Sequence, residues 1–261
     1  MKILLSVLFT PVVVLLTSTD VLGAIRTKTI EYKHGNTVLE GYLAYDDAIK
    51  SKRPGVLVVH EWNGLQSYAK QRTEQLAKLG YVAFAADIYG KGVRPKNAQE
   101  SAAQSTIYRQ DRKLLRERAN AGLKVLTNFS LTDNKRIAAI GYCFGGGTVL
   151  ELARSGANIA GVVSFHGNLD TPNPEDAKNI KAKVLVLHGA DDPFVPKEQL
   201  QGFENEMRQA SVDWQLISYG GAVHAFTNPV YKGEIKGALY DKKADQRSWQ
   251  AMRQFFAEIF R

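Results

Sequence analysis

The single cysteine of this chain, Cys143, lies in the run Gly141-Tyr142-Cys143-Phe144-Gly145-Gly146-Gly147, directly after an apolar stretch and ahead of a segment of helical period. This is the pattern G-x-S-x-G with sulfur in place of oxygen, a sharp strand-to-helix turn that presents a nucleophile and needs glycines where side chains would collide. The helix that follows aims free N–H groups and its positive dipole end at the sulfur, which favours thiolate. A lone cysteine is more often a small buried apolar residue than a nucleophile, so the motif needs partners. They follow in order: Asp192 stands 49 residues on, with Asp191 as its competitor, and His224 lies 32 residues beyond Asp192. A histidine there could take the thiol proton and later activate water, while the acid holds the imidazole in the useful tautomer. His60, His166 and His188 also close apolar runs, but His60-Glu61-Trp62-Asn63-Gly64 lacks the second histidine of a zinc-binding helix. They are therefore expected to be structural histidines, with neither a metal nor a cofactor.

Such residues must be positioned by strands. Thr29 to Tyr45 holds two strand-like runs around Gly35-Asn36, the signal of an antiparallel hairpin. After it come short apolar runs at 55–59, 81–86, 136–140, 159–165 and 183–187, each the mark of a strand buried on both faces, and a further strand-like run at 214–219. Between them lie helical stripes: Leu65, Ala69, Leu76 and Leu79 ended by Gly80; Leu200, Phe203 and Met207; and Trp249, Met252, Phe256 and Ile259. Alternation of this kind predicts an α/β fold, a mostly parallel central sheet with helices on both faces, in a single domain over 24–261. Catalytic groups then collect at the carboxyl ends of the strands, where Cys143, Asp192 and His224 all stand. The excursion from Ile88 to Gln104 is expected as a loop over one edge of the site.

Length and composition bound the alternatives. The chain has 261 residues with 44% hydrophobic and 23% charged, enough for a full core and unlike a disordered segment. With one cysteine there is no intrachain disulfide. The net charge of +8 suits a polyanionic partner, yet no nucleic-acid motif accompanies it. The densest basic stretch, Arg109, Arg112, Lys113, Arg116 and Arg118, is interleaved with Asp111 and Glu117 and reads as a solvated helix face. Residues 1–23 read as a secretory signal peptide: Lys2, an apolar run from Ile3 to Leu16 too short to span a bilayer, and small residues at Gly23 and Ala24. The expected mature protein is exported, periplasmic or secreted, has no stable membrane anchor, and is a monomer. Two other readings of the chain are a thiol-based redox or binding protein on the same fold, and a binder of anionic surfaces.

Five motifs in order, H-E-W-N-G at 60–64, A-D-I-Y-G at 86–90, G-Y-C-F-G-G at 141–146, G-A-D-D-P-F-V-P at 189–196 and H-A-F at 224–226, make the chain resemble the dienelactone hydrolase family of α/β-hydrolases. The resemblance runs from about Ile30 to the C-terminal helix. It implies hydrolysis of small esters or lactones by a Cys143-Asp192-His224 triad through a thioester. It selects Asp192 over Asp191 as the acid before x-F-V-P, adds Glu61 as a carboxylate that contacts the resting nucleophile, and implies an oxyanion hole from the backbone N–H groups of Phe144 and Trp62. Substrate contacts are expected from Tyr89, Lys91 and Asn228. Asn228 is a departure, because relatives acting on the carboxylated dienelactone place an arginine shortly after the triad histidine. Lys91 or Arg94 could replace that cation, though both also read as solvated loop charges.

Overall fold

The structure, a computed structural model, describes residues 24–261. The leader expected at 1–23 lies outside the described residues. Strands β1 (Ile25–His34) and β2 (Thr37–Asp46) pair antiparallel about Gly35, whose φ of 55° is the left-handed conformation the turn demands. The rest alternates: β3 (Arg53–Val59), α1 (Ser67–Lys78), β4 (Val82–Ala86), α2 (Ala98–Gln110), α3 (Arg112–Asn128), β5 (Thr132–Tyr142), α4 (Phe144–Arg154), β6 (Gly161–Phe165), β7 (Lys183–Gly189), α5 (Lys197–Gln209), β8 (Trp214–Tyr219) and α6 (Lys242–Ile259).

The eight strands form one sheet in the order β1-β2-β4-β3-β5-β6-β7-β8, antiparallel at β1/β2 and β2/β4 and parallel from β4 to β8. Residues of period two divide between its faces. Leu57, Val59, Val162 and Val186 pack with Leu115, Leu152, Phe203 and Met207 of α3, α4 and α5. Val56, Val58, Val163 and Leu187 pack with Leu76 of α1 and Met252 and Phe256 of α6. The continuous apolar runs therefore reflect strands covered on both sides, as the sequence pattern implied.

Three expectations need correction. Leu79 is 37% exposed, because α1 ends at Lys78 and the chain turns at Gly80 (φ 91°), carrying Leu79 off the buried stripe. The excursion after Ile88 is loop only as far as Asn97, whose side chain accepts the Glu100 N–H at 2.8 Å while the Glu100 carboxylate accepts from the Asn97 amide. This N-cap starts α2 six residues before Gln104. The basic stretch is also not one solvated face: α3 packs on α4 and the sheet, so Arg118 is buried and Arg116 pairs with Glu151 and Asp176, both at 2.7 Å.

Candidate active site

The turn between β5 and α4 forces the chemistry outward. Cys143 has φ 53° and ψ −117°, a conformation that L residues rarely adopt, and it persists because its neighbours leave no alternative. A Cβ at Gly141 would collide with the carbonyl of Gly145, and one at Gly145 with the carbonyl of Val59. Glycine is required at both positions by close approach.

Cys143 Sγ lies 3.1 Å from His224 Nε2, and His224 Nδ1 lies 2.8 Å from Asp192 Oδ2. The second oxygen of Asp192 accepts the Phe194 N–H at 2.8 Å, which fixes the carboxylate plane. Asp191 faces the other way, is exposed, and accepts the Gly221 N–H. Burial opposes the His224 imidazolium, but the charge on Cys143 and the hydrogen bond to Asp192 outweigh it and raise its pKa to about 10. The Phe144 N–H opens α4 beside the sulfur, and among the described residues neither it nor the Trp62 N–H has a protein acceptor.

Glu61 is brought to the same floor but not onto the nucleophile. Its Oε2 accepts from Asn228 Nδ2 at 2.6 Å, and among the described residues its Oε1 has no partner. Burial pushes the Glu61 carboxyl up to about 7, against the pull of Asn228, His224 and Arg72. A buried carboxyl whose native pKa exceeds its unfolded one contributes stability that is fully present below about 4.5 and lost as pH rises through about 7. Glu61→Gln is therefore expected to be more stable than the wild type above neutrality, by up to about 3 kcal/mol, with the gap closing near pH 4. Urea unfolding at several pH values measures it, and a pH-independent difference would contradict the assignment.

The residues expected to contact substrate go elsewhere. Asn228 is buried and holds Glu61. Tyr89 is buried behind the wall, its hydroxyl donating to the Trp62 carbonyl at 2.8 Å and its ring stacked on Tyr108. Lys91 pairs with Glu31 of β1 at the surface and does not line the site. His60 is buried, with Nε2 accepting from the Ile88 N–H and Nδ1 donating to the Glu61 carbonyl; burial lowers its pKa to about 4. Among the described residues no cluster of three or more His, Cys, Asp or Glu could hold a metal.

Cys143 and His224 open into a cavity of about 340 Å³. Its apolar wall is Trp62, Phe194, Tyr231 and Ile235, with Trp62 Nε1 donating to the Tyr231 hydroxyl at 3.0 Å. Arg109 of α2 lines the opposite side, beside Ser105 and Asn168, and its guanidinium donates to the Asn168 amide oxygen. The sequence pattern assigned Arg109 to the solvated face, and no local signal tied it or Tyr231 to the cysteine.

A mostly parallel sheet with a cysteine at the strand-to-helix elbow, and a histidine and an aspartate delivered from later strand ends, defines an α/β-hydrolase. Its particular branch is shown by comparison with known proteins. The chain belongs to the dienelactone hydrolase family, whose model matches residues 39–260. A protein of Aquifex aeolicus provisionally named a carboxymethylenebutenolidase is 28% identical over 232 residues, 87% of this chain and 96% of its own. A Bradyrhizobium protein named as a probable 2-oxo-3-(5-oxofuran-2-ylidene)propanoate lactonase is 28% identical over 215 residues, 78% of this chain and 86% of its own. Among solved structures, a dienelactone hydrolase-like promiscuous phosphotriesterase from metagenomic libraries shares 42% identity with a TM-score of 0.88, covering 92% of this chain and 100% of that one.

Proposed function

We propose that this protein hydrolyses small carboxylic esters or lactones through a Cys143 thioester. The observation that carries the reading is the unbroken Cys143–His224–Asp192 contact at the floor of the cavity. Cys143 Sγ attacks the carbonyl carbon while the Phe144 and Trp62 N–H groups take the oxyanion. The proton carried by His224 passes to the departing alkoxide or lactone oxygen, leaving a thioester. Water then gives its proton to His224 and attacks, the thiolate leaves, and the acid is released. A thiolate suits activated esters and enol lactones, whose leaving groups depart readily. The names of the Aquifex and Bradyrhizobium relatives point the same way. A panel of p-nitrophenyl esters, lactones and dienelactones, run with wild type beside Cys143→Ser, tests the reading; absence of turnover across the panel would reject it.

A second reading is favoured by the 42% identical solved relative, described as a promiscuous phosphotriesterase. The same thiolate would then attack phosphorus and expel an aryloxide. Paraoxon in the same panel decides it.

Arg109 supplies the cation that Asn228 cannot. It faces the cavity with an amide rather than a carboxylate as its side-chain partner, which leaves its charge for a substrate carboxylate. For Arg109→Ala, kcat/KM on a carboxylate-bearing aryl ester is expected to fall about tenfold relative to a neutral one, mainly through KM. An unchanged ratio would remove Arg109 from recognition.

Export completes the proposal. Cleavage after Gly23 would leave the Ala24 amino group, whose nitrogen lies 3.0 Å from Asp47 Oδ1, paired with that carboxylate. Mass spectrometry of the exported protein checks this.

A further inference from the structure

Two neighbouring strand ends each close on a residue of positive φ. Cys143, with φ 53°, directly follows β5, and His166, with φ 40°, directly follows β6. Their strands pair through Tyr142 and Phe165, so the two strained residues lie side by side. Strain of this kind survives only where the surroundings over-determine it. At Cys143 the extra restraint comes from a side chain: the backbone N–H, which also reaches the Phe165 carbonyl at 3.0 Å, donates to His166 Nδ1 at 3.1 Å.

The proton positions around His166 follow from that bond. Nδ1 accepts, so Nε2 carries the hydrogen and donates to Thr227 Oγ1 at 2.7 Å. The same oxygen accepts from the Tyr68 hydroxyl at 2.6 Å. The Tyr68 oxygen in turn accepts from Arg72 Nε at 3.0 Å. Arg72 is buried, donates to the Thr227 carbonyl at 2.9 Å, and is paired with Asp245 of α6. A chain of oriented donors thus runs from the last helix to the elbow, and from Arg72 onward every bond in it is made on buried groups.

We propose that His166 is a positioning residue for the reaction, a neutral acceptor locked by Thr227, Tyr68 and Arg72 that braces the Cys143 backbone and so aims the sulfur at His224. The inference rests on the proposed thioester chemistry for its kinetic readout. The groups facing His166 are Cys143, His224 with ring centroids 5.3 Å apart, Tyr142 at 6.1 Å, and Tyr68 and Arg72 through Thr227. Burial and the neighbouring His224 hold the His166 ring well below the usual imidazole range. The two histidines therefore divide the work: His224 carries the positive charge, and His166 never adds a second one beside it.

The test compares wild type with His166→Leu, His166→Asn, Thr227→Val and the double variant His166→Leu/Thr227→Val. Two readouts are used: kcat and KM on p-nitrophenyl acetate, and the rate of Cys143 alkylation by iodoacetamide between pH 5 and 9. Loss of the brace is expected to lower kcat of His166→Leu by about tenfold or more with KM little changed, and to slow alkylation by a similar factor. His166→Asn, which keeps an acceptor, should recover part of both. Thr227→Val should fall severalfold, and the double variant should be no worse than His166→Leu alone, because both act through one bond. If His166→Leu lowers only the melting temperature while both rates stay at wild-type values, the proposal is overturned. Additive losses in the double variant would overturn it too. Should His166→Leu fail to fold, a wild-type alkylation rate in both Thr227→Val and His166→Asn would overturn it equally. Alkylation needs no ester turnover, so it separates failure of the brace from failure of the hydrolase reading.

Discussion

Cys143→Ala is expected to lose ester turnover by at least about 10⁴-fold while keeping the fold, and to show no acyl adduct by mass spectrometry where the wild type shows one. Among the described residues the thiol is the atom positioned to attack, since its sulfur sits at once beside His224 Nε2, at the amino end of α4 and at the floor of the cavity. The fold should survive because the elbow is shaped by Gly141 and Gly145 rather than by sulfur, and alanine tolerates the φ of 53° no worse than cysteine does. Cys143→Ser is the sharper variant. It keeps a nucleophilic atom, but a hydroxyl gives up its proton far less readily than a thiol. Residual activity on the order of 10⁻³ of wild type is expected for it. A Cys143→Ala protein with near-normal turnover on p-nitrophenyl acetate would end the mechanism.

The parts of the site that were legible in the sequence are those written in local constraint and chain order. The glycines around Cys143 are forced by backbone collisions within a few residues, so they show as a motif. The aspartate and histidine are brought in by successive parallel strands, so their order along the chain survives as a pattern even though the residues are far apart. Glu61 could be named only through family resemblance, and its partner could not be named at all. Asn228 reads as a missing substrate cation until the loop after His224 is seen to hand its amide to Glu61, just beyond the end of β3. Arg109 shows the converse: its sequence neighbours are charged and mixed in sign, and only the docking of α2 across the strand ends turns its guanidinium toward the cavity. Arg118, in the same stretch, is buried for an equally non-local reason. Helical period identifies which face is apolar, but it does not say what will be laid over the polar one.

Asp192→Asn is expected to lower kcat/KM on the order of 10³-fold without disturbing the heavy-atom geometry. The argument turns on a hydrogen bond outside the reacting pair. One oxygen of the Asp192 carboxylate must accept the Phe194 N–H at 2.8 Å, so in the asparagine variant the amide oxygen takes that place. The amide nitrogen is then left facing His224 Nδ1, where Oδ2 had stood at 2.8 Å. Since the amide nitrogen can only donate, Nδ1 must accept, and the imidazole hydrogen moves to Nε2. With Nδ1 held as an acceptor, the ring cannot carry hydrogens on both nitrogens, so it can no longer take the thiol proton. The loss of the Asp192 charge also removes one of the forces that raise the His224 pKa, so the imidazolium is favoured less. Two measurements read this together: a rise in the pH at which iodoacetamide alkylates Cys143, and a switch of the His224 tautomer seen by nitrogen NMR. Activity within about tenfold of wild type, with the alkylation profile unmoved, would show that Asp192 does not set the state of His224. Asp191→Asn is the matched control, because its carboxylate accepts from the Gly221 N–H on the outer side of the same loop and touches neither histidine nor sulfur.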